Sequence, residues 1–163
     1  MKFLAIDSDK CNGCRLCELA CSLRAAGTMQ PARSRISVLK WEERLLNLPF
    51  TCFQCERALC AEVCPVNAIA RDGATGALVV SKERCLGCGM CTQACPFGTI
   101  ALDRPLGQAS KCDLCGGEPR CVTICPTGAI TYAPGGRTGL DRRRAGAGKL
   151  ASLLQLVEGG GPQ

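Results

Sequence analysis

The chain has 163 residues, of which 16 are cysteine, and it contains no histidine. Its 20 Lys and Arg residues against 14 Asp and Glu residues give a formal net charge of +6. The absence of histidine excludes His-ligated zinc, haem and Rieske centres, and it excludes Ser-His and Cys-His catalytic pairs. The hydrophobic fraction of 47% includes the cysteines. Because the remaining apolar core is thin, we expect the cysteines to help stabilise the fold.

The first segment predicts a strand, Lys2–Ile6, rather than a signal peptide. Asp7, Asp9 and Lys10 end its apolar run too early for a secretion signal. No apolar run in the sequence approaches the length of a membrane span. We therefore expect a cytoplasmic protein without membrane insertion, in a reducing compartment that disfavours disulfides.

The elements that follow are predicted to be short and to alternate with the cysteines. In chain order they are a helix over residues 17–25, a strand at Ile36–Trp41, a hairpin through residues 68–80, and strands over residues 99–102 and 129–132. Residues 27–50 are interpreted as a connecting hairpin and packing segment, with a partner-docking surface as the alternative. The mixture of short helices and strands indicates the α+β class.

The cysteines form four quartets, and none is left over. Motif 1 is Cys11, Cys14, Cys17 and Cys21 (C-x2-C-x2-C-x3-C); motif 2 is Cys52, Cys55, Cys60 and Cys64 (C-x2-C-x4-C-x3-C); motif 3 is Cys85, Cys88, Cys91 and Cys95, with the spacing of motif 1; and motif 4 is Cys112, Cys115, Cys121 and Cys125 (C-x2-C-x5-C-x3-C). Motifs 2 to 4 end in Cys-Pro and continue into a similar phrase that closes on Ile69, Ile100 and Ile130. This phrase is an internal repeat, one local unit used three times. In motif 1, Ser22 replaces the proline, which suits continuation of a helix.

The spacing has a chemical reason. Three thiolates two residues apart on a glycine-containing loop can wrap three corners of a cubane cluster, and the loop amides offset the negative charge. In bacterial two-cluster ferredoxins, the cysteine before the proline ligates the other cluster. A zinc site would need the cysteines grouped two and two, and disulfides between such close neighbours would be strained. The quartets therefore predict iron–sulfur ligation.

The sixteen cysteines, their order and the phrase at residues 111–115 resemble the four-cluster ferredoxin-like electron-transfer subunits of prokaryotic oxidoreductases, over residues 2–132. Such subunits accompany molybdenum and tungsten enzymes, hydrogenases and carbon monoxide dehydrogenases. Because every ligand position is cysteine, the resemblance implies four 4Fe–4S clusters, with motifs 1 and 4 sharing one pair and motifs 2 and 3 the other. The implied ligand sets are Cys11, Cys14, Cys17 and Cys125; Cys112, Cys115, Cys121 and Cys21; Cys52, Cys55, Cys60 and Cys95; and Cys85, Cys88, Cys91 and Cys64.

The resemblance also implies the domain organisation. Residues 1–132 are expected to be a polyferredoxin domain of tandem ferredoxin-like units, the unit of motifs 2 and 3 inserted within that of motifs 1 and 4. Its small core is built around the clusters, so metal loading and folding are linked. Residues 133–163 form a Gly/Arg-rich tail with a basic run at residues 142–144. Residues 150–157 can form a short helix that docks on a partner, and a flexible tail is the alternative.

The expected function is electron transfer without catalysis. The sequence offers no candidate nucleophile or general acid or base, and four thiolates per cluster leave no iron open to a substrate. Within the resemblance we favour the relay subunit of a tungsten or molybdenum aldehyde oxidoreductase, passing electrons to a flavin subunit that reduces NAD. A hydrogenase or carbon monoxide dehydrogenase subunit and a freely diffusing polyferredoxin are alternatives. Nucleic-acid binding, suggested by the charge of +6, lacks interleaved aromatic residues.

Lys10, Arg84 and Lys111 each precede the first cysteine of a motif. A positive charge at this position can favour a reduced cluster and raise its potential. The alternative is an ordinary solvated side chain.

Overall fold

The computed structural model describes residues 2–134, and the expected tail helix at residues 150–157 lies outside them. The described residues form four separate two-stranded antiparallel sheets. The strands are β1 (Lys2–Ile6), β2 (Ile36–Trp41), β3 (Leu46–Thr51), β4 (Ile69–Arg71), β5 (Leu78–Val80), β6 (Ile100–Asp103), β7 (Gln108–Lys111) and β8 (Ile130–Pro134). The α-helices are α1 (Leu16–Ala26), α2 (Leu59–Glu62), α3 (Met90–Ala94) and α4 (Arg120–Thr123).

One sheet joins the two ends of the described chain, and the other three are hairpins. β1 pairs with β8 from Lys2 opposite Pro134 to Ile6 opposite Ile130. β2 pairs with β3, β4 with β5, and β6 with β7. The connecting hairpin expected between motifs 1 and 2 is the β2–β3 sheet. All four motifs therefore lie, in sequence, between two strands that pair with each other.

The Cys-Pro repeat folds into the same turn three times. In each copy the amide three residues after the cysteine donates to the cysteine carbonyl oxygen: Asn67 to Cys64 at 3.2 Å, Gly98 to Cys95 at 3.2 Å, and Gly128 to Cys125 at 3.4 Å. These three donors have positive φ angles of 49°, 61° and 65°, which asparagine and glycine tolerate better than other residues do. The buried isoleucine that follows then begins β4, β6 or β8.

Motif 1 departs from this pattern as its sequence predicts. Without a proline after Cys21, α1 continues to Ala26, one residue beyond the predicted end, and it begins one residue earlier, at Leu16. Gly27 ends the helix with a φ of 71° and donates its N–H to the Leu23 carbonyl. The helix buries Cys17 and Ser22 and exposes its other face.

The core consists of three small clusters, and each contains cysteine. One packs Cys17 and Cys121 with Ile36, Val38 and Ile130. A second packs Cys91 with Ala58 and with aliphatic residues of β4, β5 and β6, and the third packs Cys112 with Ala77 and Leu114. None of the helices within residues 2–134 combines the length and hydrophobicity that a membrane span requires.

Candidate metal centres

Four cysteines from two distant motifs line one small cavity, here named the Cys121 cavity. They are Cys21 from motif 1 and Cys112, Cys115 and Cys121 from motif 4. Burial raises the pKa of Cys121, and negative charge on the other three thiols raises it further. Burial likewise raises the pKa of Cys112 to about 11. The four sulfurs are thus close neighbours in a site that disfavours free thiolates, so a positive metal centre must supply the stabilisation that water does not.

A second cavity, the Cys88 cavity, also combines two motifs. It is lined by Cys64 from motif 2 and by Cys85, Cys88 and Cys91 from motif 3. The Cys64 sulfur accepts the Ala68 amide at 3.2 Å, and the Cys85 sulfur accepts the Ala109 amide at 3.4 Å. Backbone donors of this kind stabilise thiolate ligands.

The loop of the Cys88 cavity requires glycine at position 87. Gly87 has a φ of +69°, and a Cβ there would lie 2.0 Å from the carbonyl oxygen of Gly107. The loop is therefore pressed against the turn of the β6–β7 hairpin. Any larger residue would push Cys85 and Cys88, which flank it, out of their present arrangement.

Cys60 and Cys17 also have neighbouring cysteines from two motifs. Cys60 lies close enough to Cys52 and Cys95 that negative charge on either raises its pKa, although burial is the larger cause. Cys11 and Cys125 pack against the core cluster that contains Cys17. The pKa of Cys17 rises to about 12, mainly through burial and the Glu18 carboxylate, with smaller effects of Cys11 and Cys14. Cys55 lies in the motif 2 loop, where its carbonyl oxygen accepts a hydrogen bond from Arg71 at 2.8 Å.

Hydroxyl groups face two of the cysteines that precede proline. Cys95 lies 3.6 Å from the Thr99 hydroxyl, and Cys125 lies 3.6 Å from the Thr127 hydroxyl. Burial favours the neutral thiols, but hydrogen bonds from these hydroxyls and from nearby backbone amides outweigh it and lower the pKa of both cysteines. In these two copies, the Cys-Pro turn therefore presents hydrogen-bond donors that stabilise the thiolate form of its cysteine.

The donor set fits iron–sulfur clusters. Thiolates are the ligands that 4Fe–4S clusters take, and every position of the four motifs is cysteine. Within residues 2–134, no three Cys, Asp or Glu side chains converge closely enough to hold a single metal ion. A cubane needs its four thiolates at separate corners, around a cavity rather than at one point.

Two family models match the chain. The model of a 4Fe–4S dicluster domain covers residues 44–134, and that of a 4Fe–4S binding domain covers residues 8–27. The chain belongs to the 4Fe–4S dicluster-domain family. This membership confirms the expected family and 4Fe–4S clusters as the cofactors of the chain.

Relatives of this 4Fe–4S dicluster-domain protein include subunits of larger enzymes. The polyferredoxin-like subunit of an aliphatic sulfonate oxidoreductase from Pyrococcus furiosus is 46% identical over 123 residues, which cover 76% of this chain and 70% of that protein. The electron transport protein HydN of Escherichia coli strain K12 is 37% identical over 154 residues, covering 79% and 86%. Among solved structures, the active site complex BamBC of benzoyl coenzyme A reductase with benzoyl-CoA aligns with a TM-score of 0.51, 28% identity and 97% coverage of both chains.

The three cations that precede motifs in this dicluster-domain protein have different surroundings. Lys10 is 61% exposed and pairs with Asp7 at 3.3 Å, and Arg84 is also exposed. Lys111, at the end of β7, is only 3% exposed. The interpretation as an ordinary solvated side chain is therefore wrong for Lys111, because the β6–β7 hairpin carries it into the interior.

Two polar residues near the cysteines were not identified from the sequence. Arg35 donates its amide to the Cys21 sulfur at 3.3 Å, and its guanidinium pairs with Asp113 at 2.6 Å. Gln54, buried in the motif 2 loop, donates to the Cys112 carbonyl at 2.8 Å and accepts the Leu78 amide at 2.8 Å. The position of Gln54 between two cysteines of motif 2 is the only sequence signal of its role.

Proposed function

We propose that the chain is a non-catalytic electron-transfer subunit that relays single electrons through four 4Fe–4S clusters. The observation that carries the proposal is the presence of two cavities, each lined by one cysteine from one motif and three from another. A bound 4Fe–4S cluster takes up and releases one electron. The chain binds the cluster through cysteine thiolates. Its backbone amides donate hydrogen bonds to the sulfurs, and its fold excludes water from the more deeply buried ligands.

Each proposed site takes three cysteines from one motif and the last from its partner motif. The sites, each named by one ligand, are the Cys17 site (Cys11, Cys14, Cys17, Cys125), the Cys121 site (Cys21, Cys112, Cys115, Cys121), the Cys60 site (Cys52, Cys55, Cys60, Cys95) and the Cys88 site (Cys64, Cys85, Cys88, Cys91). The linings of the two cavities support the Cys121 and Cys88 sites. The proximity of Cys60 to Cys52 and Cys95, and of Cys11 and Cys125 to the Cys17 core cluster, supports the other two.

The four sites form a linear relay. Cys17 and Cys121 share one core cluster, which supports contact between the first two sites. Cys52 packs against the core cluster of Cys112, and Cys60 packs against that of Cys91. Electrons therefore pass in the order Cys17, Cys121, Cys60 and Cys88 sites, or in reverse.

The architecture that fits this relay is a pair of ferredoxin-like units within residues 1–132. The unit of motifs 2 and 3 is inserted into the unit of motifs 1 and 4. The pairing of β1 with β8 supports the arrangement, because it brings together the segments that flank motif 1 and motif 4. Ala133 and Pro134, which the sequence assigned to the tail, belong instead to β8 and pair with Phe3 and Lys2. Docking of the remaining tail on a partner stays a prediction.

The partner is a catalytic oxidoreductase subunit in the cytoplasm. The name of the Pyrococcus furiosus relative, a subunit of an oxidoreductase, supports a multi-subunit enzyme. Our favoured partner remains a tungsten or molybdenum aldehyde oxidoreductase with a flavin subunit that reduces NAD. Anaerobic purification of the tagged chain from its own cells in high salt tests this point. A stoichiometric tungsten or molybdenum subunit is expected, and a chain that purifies alone would identify a freely diffusing polyferredoxin.

An electron count tests the function itself. Anaerobically purified chain is titrated with dithionite and then reoxidised with an oxidised viologen, while its iron is measured. We expect about 16 iron atoms and about four electrons taken up and returned per chain, without loss of iron. Iron that is not reversibly reduced would contradict the proposal.

A further inference from the structure

Lys111 lies in a buried network that joins motif 2, the β4–β5 hairpin and motif 4. Its ammonium group donates to the Leu78 carbonyl at 2.5 Å and to the Cys112 carbonyl at 3.2 Å, and faces the Gln54 side-chain oxygen at 3.5 Å. An ammonium has three N–H donors and no acceptor. All three neighbouring atoms are acceptors, so the surroundings fit the cation.

This cation has no carboxylate partner within the described residues. The ion pairs there include Lys10–Asp7, Arg15–Glu18, Arg33–Asp103, Arg35–Asp113 and Arg57–Glu62, none of which involves Lys111. A buried charge without an opposite charge is strongly destabilising, and lysine is almost never fully buried unless it is paired. Residues 2–134 by themselves therefore leave the charge of Lys111 uncompensated.

Cysteine ligands lie close to this cation. The Gln54 side chain that Lys111 faces belongs to the motif 2 loop, and the Gln54 amide donates to the sulfur of Cys52, a ligand of the Cys60 site, at 3.5 Å. In agreement, the positive charge of Lys111 opposes the rise in the pKa of Cys60 that burial causes. Cys112, which follows Lys111 directly, belongs to the neighbouring cavity. A 4Fe–4S cluster with four thiolates carries about −2 when oxidised and about −3 when reduced. Clusters in these positions supply the missing negative charge, and reduction increases it.

We propose that Lys111 is a built-in positive charge that raises the reduction potential of the cluster at the Cys60 site and, more weakly, of the cluster at the Cys121 site. The inference rests on the proposed function. The ammonium stabilises the state with the additional electron, and the hydrogen bonds from Lys111 fix the distance between this charge and the cluster. The two inner members of the relay are thereby made easier to reduce.

The main variant is Lys111→Met, which keeps most of the length of the unbranched side chain and removes its charge. The measurement is a potentiometric titration of the anaerobically purified full chain, followed by EPR. We expect the reduction equilibrium of one inner cluster to shift at least tenfold toward the oxidised form, a fall of about 59 mV for one electron. The other inner cluster should shift less, and the outer two least.

Matched controls are Lys10→Met and Arg84→Met. These residues also precede the first cysteine of a motif, but both are exposed to solvent. They should change every potential by less than a third of the Lys111→Met shift, because water screens their charges. Equal shifts in all three variants, or no shift in Lys111→Met, would overturn the proposal.

Two further variants decide the outcome if Lys111→Met fails to bind clusters. Lys111→Gln is neutral but can donate to the Leu78 carbonyl, and Lys111→Arg keeps the charge. Cluster binding by the arginine variant with failure of both neutral variants supports the charge role, whereas failure of all three contradicts it. A wild-type chain without reducible clusters would instead refute the proposed function.

Discussion

The Cys121 cavity and the Cys88 cavity each combine four cysteines from two motifs, but their surroundings differ. In the first, Cys112 and Cys121 are buried, and the Arg35–Asp113 ion pair closes one side. In the second, Cys88 is exposed, and Leu86 beside it is 71% exposed. The same combination of one cysteine from one motif and three from another therefore lines an inner site that is shielded from water and an outer site with an exposed edge.

We expect the largest difference between the two cavities when one cysteine ligand of each is replaced by alanine. Cys121→Ala removes a buried ligand that also packs in the core cluster with Cys17, so we expect loss of clusters and a fall in unfolding free energy on the order of 5 kcal/mol or more. Cys88→Ala should lose about one quarter of the iron with less than half that destabilisation. Iron analysis and chemical unfolding measure both effects. Equal destabilisation by the two variants would contradict the distinction between an inner and an outer site.

Gly87→Ala tests the shape of the outer site. A Cβ at Gly87 would meet the Gly107 carbonyl oxygen at 2.0 Å, whereas at Gly98 nothing lies within 4 Å, although both have positive φ angles. We expect Gly98→Ala to cost about 1–2 kcal/mol through its left-handed backbone alone, and Gly87→Ala to cost at least twice as much. The EPR signal of one cluster should also change in Gly87→Ala. If both variants unfold at the same denaturant concentration, the close approach of Gly87 to the Gly107 carbonyl does not contribute to stability.

Arg35→Gln tests the closed side of the inner site and should have the smallest effect. It removes a partly buried ion pair with Asp113 while keeping the amide that faces Cys21, so we expect a loss of about 2 kcal/mol. Arg57→Gln is the control, because its pair with Glu62 is 83% and 46% exposed and should contribute less than about 1 kcal/mol. Chemical unfolding of both variants provides the comparison. If Arg57→Gln lowers the unfolding free energy as much as Arg35→Gln does, burial of the ion pair does not determine its contribution to stability.

The local structure was largely predictable from the sequence. The Cys-Pro phrase predicted strands near Ile69, Ile100 and Ile130, because the turn is built from adjacent residues and ends on a buried isoleucine. The strand at Ile36–Trp41 was predicted with its observed bounds. β7 was not predicted, because its sequence Gln-Ala-Ser-Lys lacks alternating hydrophobicity and is held by pairing with β6.

The long-range arrangement was less accessible to sequence reasoning. Spacing alone identified thiolate ligands, but the choice of motif partners came from the family resemblance, since no local feature relates Cys21 to Cys121. The burial of Lys111 was not predictable from its type, because lysine is ordinarily solvated. Its interior position depends on the Leu78 carbonyl and on Gln54, which are distant in sequence.

EPR spectroscopy of the fully reduced, anaerobically purified chain tests the central claim most directly. Four clusters in a linear relay, with neighbouring ligands packed against each other, should give a broad, spin-coupled spectrum that integrates to about four spins per chain. Cluster signals that are sharp and independent of one another, or an integral of about two spins or fewer, would contradict the relay of four adjoining sites.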